Sequence, residues 1–385
     1  MIRAAGTSWL NRCLNCFDRQ RLKVLNAIRR CRTAVLGGHV DECLRCGLRA
    51  ISYNSCRNRH CPKCQGNARH RWLQARRAEL LPVRYVHVVF TLPHQLVPLA
   101  LLNQKVIYGL LFRTSAETLL RVARNPRHLG AEIGFFSVLH TWNQKLEHHP
   151  HVHCVVPEGG IAADGKRWVS PRYNFFLPVK VLGRVFRGKF TAALREAFES
   201  GKLQFPRRIP PEAQTTFFKD LLRQCHRNDW VVYVKRPFGG PEQVLQYLGN
   251  YTHRVAISNH RLIELAEGQV EFRWRDSAHG NKKRVMKLHV EEFLRRFFLH
   301  VLPRGFVRIR YFGFLACRQR KTQLELCRKL LDTAPAAVPV HAVAEVASEP
   351  TYPNCPVCGA TMVIVERFTA PQDWVRPPPI AQEVA

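Results

Sequence analysis

Two stretches of the chain space out side chains that suit phosphoryl chemistry. In Glu147-His-His-Pro-His-Val-His153, two histidines stand at i and i+2. In an extended strand those positions point to one face, so His151 and His153 can reach the same divalent cation. Burying two imidazoles in an apolar strand with no ligand is costly, which favours a metal over a core pair. A third ligand must come from the neighbouring strand or turn, where His140, Gln144, His148 and His149 are available. Gln144 and His140 are the leading choices. Two imidazoles plus an oxygen would leave coordination positions open and suit Mg²⁺ or Mn²⁺ held partly by phosphate and water.

The second stretch is Gln246-Tyr-Leu-Gly-Asn-Tyr-Thr-His-Arg254, with Tyr247 and Tyr251 at i and i+4. On a helix both hydroxyls share one face. On an arbitrary chain this spacing would read as an aromatic core stripe. Here Gly249, Asn250, Thr252, His253 and Arg254 surround the pair with groups that a core stripe avoids. Tyrosine is a poor nucleophile at its free pKa of about 10. It can attack phosphorus where a metal polarises the phosphate. The histidine strand and the tyrosine helix therefore explain one another, and with no GxxxxGK[ST] loop present no nucleotide cofactor is expected.

Cysteines supply a different site. Eight of the 14 precede residue 82. Cys43-Leu-Arg-Cys46 and Cys61-Pro-Lys-Cys64 are two knuckles at a separation that predicts one tetrahedral, structural Cys₄ zinc site. Cys13, Cys16, Cys31, Cys56, His39 and His60 remain for a second zinc or for core thiols. Near the C-terminus, Cys355-Pro-Val-Cys358 is half a zinc ribbon, to be completed by Cys317 or Cys327 or left as a frayed tail. Basic residues cluster beside these features: Arg57, Arg59, Arg69, Arg76 and Arg77 near the zinc module, Arg254 beside the tyrosines, and Lys282, Lys283 and Arg284 with Trp274 close by. Phosphate pairing plus aromatic stacking is how single-stranded nucleic acid is commonly held, so these are the expected DNA contacts.

The elements that must position these groups are legible from periodicity. Tyr85 to Leu92 is β-branched and aromatic and stops at Pro93, a strand; Gly134 to Trp142 and His151 to Val156 are two more, close enough for an antiparallel hairpin. Residues 104–124 and 177–200 carry apolar positions at helical spacing. Trp230 to Lys235 is a further strand, and Pro241 opens a helix that carries the tyrosines. Hairpins mixed with helices indicate an α+β fold, an antiparallel sheet flanked by helices. Three regions follow: a zinc-binding, DNA-contacting domain over 1–81, a catalytic domain over 82–331, and an Ala-, Val- and Pro-rich linker with a tail over 332–385.

Composition narrows the partner. The 385 residues hold 60 Lys and Arg against 28 Asp and Glu, a formal net charge of +32. Such a surplus repels itself unless a polyanion is bound, and nucleic acid is the leading one. An anionic membrane fits poorly, because the basic residues interleave with aromatic ones instead of lining one amphipathic helix. No window approaches the ~20 apolar residues of a span, and the N-terminus lacks the apolar core of a signal peptide. The expectation is a cytoplasmic, nucleoid-associated protein whose cysteines are metal ligands or core thiols.

Three motifs in order carry a family resemblance: Cys56-Arg-Asn-Arg-His-Cys-Pro-Lys-Cys-Gln65, His149-Pro-His-Val-His-Cys-Val-Val156 with Gly159-Gly160, and Tyr247-Leu-Gly-Asn-Tyr-Thr-His-Arg-Val-Ala-Ile-Ser-Asn259. Together they resemble rolling-circle insertion-sequence transposases of the IS91 type, which carry an HUH nuclease domain behind an N-terminal zinc-binding domain. The resemblance spans about residues 12 to 330. It implies that His151 and His153 bind the catalytic metal. It also implies that a tyrosine attacks a phosphodiester of single-stranded DNA at the ends of its own element, leaving a 5′-phosphotyrosine and a free 3′-hydroxyl. Tyr247 and Tyr251 together make a two-tyrosine scheme available. The alternatives are a plasmid replication initiator or relaxase, which shares the chemistry but cuts other DNA, and a non-catalytic zinc-dependent DNA-binding relative.

Overall fold

The computed structural model describes residues 1–2, 4–172, 176–238, 243, 249, 256–276, 279–316, 318–331 and 354–369. In chain order come helices α1 (Gly6–Cys16) and α2 (Arg19–Arg30), strands β1 (Gly38–Cys43) and β2 (Arg49–Tyr53), then α3 (Gln65–Arg77). Next are β3 (Tyr85–Thr91), α4 (Val97–Leu102), α5 (Gln104–Arg124), β4 (Ala131–Glu132), β5 (Gly134–Trp142), β6 (His148–Pro157), β7 (Gly160–Ala162) and β8 (Trp168–Val169). They are followed by α6 (Val179–Glu199), α7 (Pro211–Arg227), β9 (Val232–Phe238), β10 (Leu262–Ala266), β11 (Gln269–Asp276) and β12 (Lys282–His289). The last elements are α8 (Val290–Leu299), β13 (Ile309–Gly313), α9 (Arg320–Leu330) and β14 (Met362–Phe368).

The largest sheet has five strands in the order β13-β5-β6-β3-β9, antiparallel at every pairing. This is the expected α+β arrangement, with the His-Val-His strand at the centre. Central position explains the sequence of β6: both its faces are covered, so Cys154, Val155 and Val156 follow one another without a polar residue between them, and His153 is buried among apolar neighbours. One face carries Val86, Val88, Phe90, Val152, Cys154, Val156, Phe135 and Leu139, and packs on α5 and α6 through Ile107, Leu111, Leu182, Phe186 and Phe190. Each such fully buried side chain contributes roughly 1.5–3 kcal/mol relative to exposure. The other face divides along its length. At one end Tyr85, Phe136, Val138 and Val155 pack with Trp72 and Leu73 of α3 and with Ile309 and Tyr311 of β13. At the other end stand the histidines.

Helix α5 covers the 104–124 span expected from periodicity, and β5 the 134–142 span. Strand β6 begins three residues earlier than expected, at His148, because the β5–β6 hairpin is tighter than its polar sequence suggested. Beside the hairpin, β10, β11 and β12 form a separate antiparallel sheet, on which α8 packs Phe293 against Phe272 with ring centroids 5.8 Å apart. No helix among the described residues is long and apolar enough to cross a membrane.

The chain folds as two compact units, and their division differs from the expected one. The larger begins at Arg69, inside α3, and not at residue 82. The smaller joins Gly6–Ala68 to the C-terminal strand, so the tail is part of the N-terminal module and not a separate end. Its sheet is β14-β1-β2, with β14 paired antiparallel to β1 from Gly38↔Phe368 to Cys43↔Met362.

Candidate metal centre and nucleic-acid interface

The hairpin register builds the histidine group. His140 of β5 stands directly across from His151 of β6, and Val138 across from His153. Strand alternation puts His140, His151 and His153 on one face, and the ligand nitrogens they offer lie within 4.8 Å of one another. His140 and His153 are buried and His151 half-buried. Gln144 is placed differently. It sits in the exposed turn beyond the Trp142–His148 pair, with its backbone carbonyl accepting from Arg261 Nη2 at 2.5 Å. An amide in that turn is off the strand register that gathers the imidazoles, so His140 is the residue brought to His151 and His153.

Hydrogen bonds orient two of the three rings. His151 Nδ1 donates to the His149 carbonyl at 2.7 Å, since the carbonyl can only accept, and this leaves Nε2 as the electron-pair donor. His153 Nδ1 lies 2.8 Å from His87 Nε2, and the two rings stack with an interplanar angle of 5°. When His153 Nδ1 donates to His87, Nε2 of His153 likewise carries its lone pair into the group. Burial pushes the His151 pKa down to about 3, aided by neighbouring His149. Burial drives His153 well below its ordinary range, followed by the charges of His140, His151, His87 and Arg308. Both rings are therefore held neutral, the form that binds a metal.

His87 was absent from the sequence expectations, although its strand was identified. The signal was present in Tyr85-Val-His-Val-Val, where a lone imidazole interrupts an apolar run two positions from Val89, the cross-strand partner of His153. Arg308 was missed as well. Its Nε donates to the Leu139 carbonyl at 3.1 Å and its guanidinium lies 5.1 Å from the Trp142 ring centroid. This fixes a cation beside the imidazoles. A second buried network braces the hairpin turn: His300 Nε2 donates to the Leu146 carbonyl at 3.0 Å and Nδ1 accepts from Thr141 Oγ1 at 3.2 Å, while the Tyr108 hydroxyl lies 2.7 Å from His148 Nε2.

Tyr247, Tyr251 and Arg254 lie outside the described residues. Gly249, between the tyrosines in sequence, is helical and buried. A Cβ there would meet Arg69 Nε at 2.7 Å and Leu73 Cδ1 at 2.9 Å, so this glycine is seated on α3. Arg69 therefore lies half-buried in the unit. Arg76 does too: its Nη1 donates to the Tyr311 hydroxyl at 2.7 Å and Nη2 pairs with Glu79 at 3.0 Å. Arg57, Arg59 and Arg77 are exposed. On the hairpin arm, Lys282 and Lys283 are exposed and Arg284 pairs with Asp276 at 3.0 Å. Lys145 sits 4.6 Å from the Trp274 ring centroid. The arm thus offers a cationic edge with an aromatic face already engaged by one cation.

The cysteines correct the single Cys43-Cys46-Cys61-Cys64 site. Two groups form instead: Cys31, Cys56, Cys61 and Cys64, and Cys43, Cys46, Cys355 and Cys358. Each Cys-x-x-Cys pair is local, but which pairs share an ion is set by the fold. Strand β14 lies beside β1 and delivers Cys355 and Cys358 to Cys43, whereas the 43–46 turn and the 61–64 turn belong to different ends of the module. Cys13 and Cys16 lie on α1, outside both groups, and Cys327 is buried against Leu81 and Leu324.

Comparison with known proteins agrees with these features. A family described as "Transposase zinc-binding domain" matches residues 1–92, and one described as "Putative transposase" matches residues 134–323. The chain is 51% identical over 365 residues to "Putative transposase y4qJ" of Sinorhizobium fredii (strain NBRC 101917 / NGR234), covering 93% of this chain and 91% of that one. It is 28% identical over 344 residues to the transposase for insertion sequence element IS801 of Pseudomonas savastanoi pv. phaseolicola, covering 86% and 80%. Among solved structures, the metal-bound conjugative relaxase TrwC in complex with oriT DNA aligns with a TM-score of 0.26 and 12% identity, covering 64% of this chain and 72% of that one. The chain belongs to the insertion-sequence transposases of the IS91 type.

Proposed function

We propose that this transposase cleaves and rejoins single-stranded DNA at the ends of its own element through a 5′-phosphotyrosine intermediate, as in rolling-circle transposition. The observation that supports this reading most is the buried group of His140, His151 and His153 on the central hairpin, held neutral and oriented by the His149 carbonyl and by His87. These residues would hold the catalytic metal. Three imidazoles are a softer set than two imidazoles and an oxygen, so the site suits Mn²⁺ better than Mg²⁺, which prefers oxygen ligands. A bound cation would polarise the scissile phosphate and disperse charge as phosphorus is attacked.

The protein's own groups would do the rest. Tyr247 or Tyr251 supplies the phenol oxygen: one P–O bond forms to tyrosine, the bond to the 3′ oxygen breaks, and the phenol proton leaves to a base or water as the 3′ oxygen gains one. Attack by a 3′-hydroxyl on the phosphotyrosine reverses the exchange and rejoins a strand, and the second tyrosine allows a second cleavage while the first is occupied. Arg308, beside the imidazoles, would pair with the phosphate. Lys282 and Lys283 would hold the strand's backbone. The zinc-binding module distinguishes this reading from a relaxase or replication initiator of the same chemistry.

The test is covalent capture. A labelled single-stranded oligonucleotide spanning the element's end, incubated with protein and Mn²⁺ or Mg²⁺, should migrate with the protein under denaturing conditions. The adduct should vanish in Tyr247→Phe/Tyr251→Phe and in His151→Ala/His153→Ala. An adduct that persists in the double tyrosine variant would refute the nucleophile assignment, and binding with no adduct under either metal would favour the non-catalytic reading.

A further inference from the structure

We propose that the C-terminal Cys355-Pro-Val-Cys358 is the second half of a zinc site begun by Cys43 and Cys46, so that the chain carries two structural zinc ions and one of them ties its two ends together. This inference is independent of the cleavage chemistry above.

The geometry fits the ion. Cys43 Sγ lies 3.4 Å from Cys358 Sγ, and Cys46 Sγ lies 3.6 Å from Cys355 Sγ. Four thiolates about 2.3 Å from a tetrahedral zinc have sulfurs about 3.8 Å apart, so the ion enters with a shift of a few tenths of an ångström. The first cysteine of each knuckle faces the second of the other, a two-fold relation that the backbone repeats. Gly47 N donates to the Cys43 carbonyl at 3.0 Å and Gly359 N to the Cys355 carbonyl at 2.9 Å, with left-handed φ of +71° and +73° at the two glycines. Cys43 N donates to the Leu48 carbonyl at 2.9 Å, and Cys355 N to the Ala360 carbonyl at 2.7 Å. Both knuckles read Cys-x-x-Cys-Gly because the turn must reverse in αL immediately after the second ligand. The companion group of Cys31, Cys56, Cys61 and Cys64 has the same spacing, with Cys31 and Cys56 sulfurs 3.4 and 3.6 Å from that of Cys64.

The tail also completes the sheet. Without β14, β1 and β2 are an isolated two-stranded ribbon, which is marginal in water. With it, the sheet gains a third strand, the zinc at the Cys43 end, and at the other end Phe368 packed edge-on to Tyr53, 6.1 Å between centroids, over Gly38. The zinc-binding module is therefore incomplete in any chain that stops before residue 355, and its assembly waits for the C-terminus to be made.

Zinc per chain, measured by mass spectrometry on the full-length protein with His151→Ala/His153→Ala so that the imidazole group holds none, should be two. It should fall to one when Cys355→Ser/Cys358→Ser is added and to one when Cys61→Ser/Cys64→Ser is added. One zinc with every cysteine in place, or two retained with Cys355→Ser/Cys358→Ser, would overturn the proposal. A second measurement needs no variant. In zinc-loaded protein, Cys46 and Cys358 should resist alkylation while Cys16, exposed and outside both groups, reacts rapidly. A chelator should bring Cys46 and Cys358 to the rate of Cys16. Equal rates before chelation would also overturn it. Neither readout depends on DNA cleavage.

Discussion

His87 is the sharpest test of how the histidine site is organised. The residue is not a member of the metal-facing group, yet it is 4% exposed and its Nε2 lies 2.8 Å from Nδ1 of His153, itself 8% exposed. Replacing it by Ala removes the ring nitrogen that His153 Nδ1 meets and leaves space in which that ring can turn. Groups that orient a metal ligand from behind are typically worth 10–100-fold in metal affinity, about 1.4–2.7 kcal/mol. His87→Ala should therefore weaken Mn²⁺ binding by that factor in calorimetric titration. Adduct formation should need correspondingly more Mn²⁺ and approach the normal rate at saturating metal. His87→Gln keeps an amide oxygen able to accept from His153 and should recover most of the affinity. His87→Leu, which fills the space without an acceptor, should restore thermal stability but not metal binding. If His87→Ala binds Mn²⁺ normally, or if Leu rescues as well as Gln, then His87 is packing alone and the orientation argument fails.

Two further outcomes are expected. Lys282→Ala/Lys283→Ala removes two exposed cations from the β12 edge, and each single-strand phosphate contact contributes ~0.7 to the slope of log affinity against log salt, so that slope should flatten by ~1.4 in fluorescence-anisotropy titrations; an unchanged slope would remove the arm from the DNA path. His300 has its pKa lowered to about 4 by burial. Its unfolded form takes up a proton near pH 6.5 while the folded form does not, so His300 should by itself remove roughly 3 kcal/mol of stability as the pH falls from there towards 4, in addition to what buried His151 and His153 remove. Denaturant unfolding across that range should show the combined decline, and His300→Asn should lessen it by about that amount; an identical pH dependence in the variant would assign the loss to the other groups.

The features legible in the sequence are those whose cause is local. The α5 and β5 spans followed from 3.6- and 2-residue periodicity, and the shared face of His151 and His153 followed from strand alternation alone. Each Cys-x-x-Cys pair was likewise visible, because its geometry is a property of one turn. The charge of +32 pointed to a polyanion with no structure at all.

What the tertiary structure decided are the choices among partners distant in sequence. His140, and not Gln144, faces His151 because the hairpin register pairs them. His87 reaches His153 only because β3 lies beside β6 in the sheet, across more than sixty intervening positions of chain. Arg69 and Arg76 look alike on the α3 sequence, but in the fold Arg69 is half-buried beside Gly249 and Arg76 donates to the Tyr311 hydroxyl. Cys43 and Cys46 took Cys355 and Cys358, not Cys61 and Cys64, because β14 closes the edge of β1. A sequence states which side chains can bind or react; strand order and register, which are set by burying both faces of a sheet at once, state which of them meet.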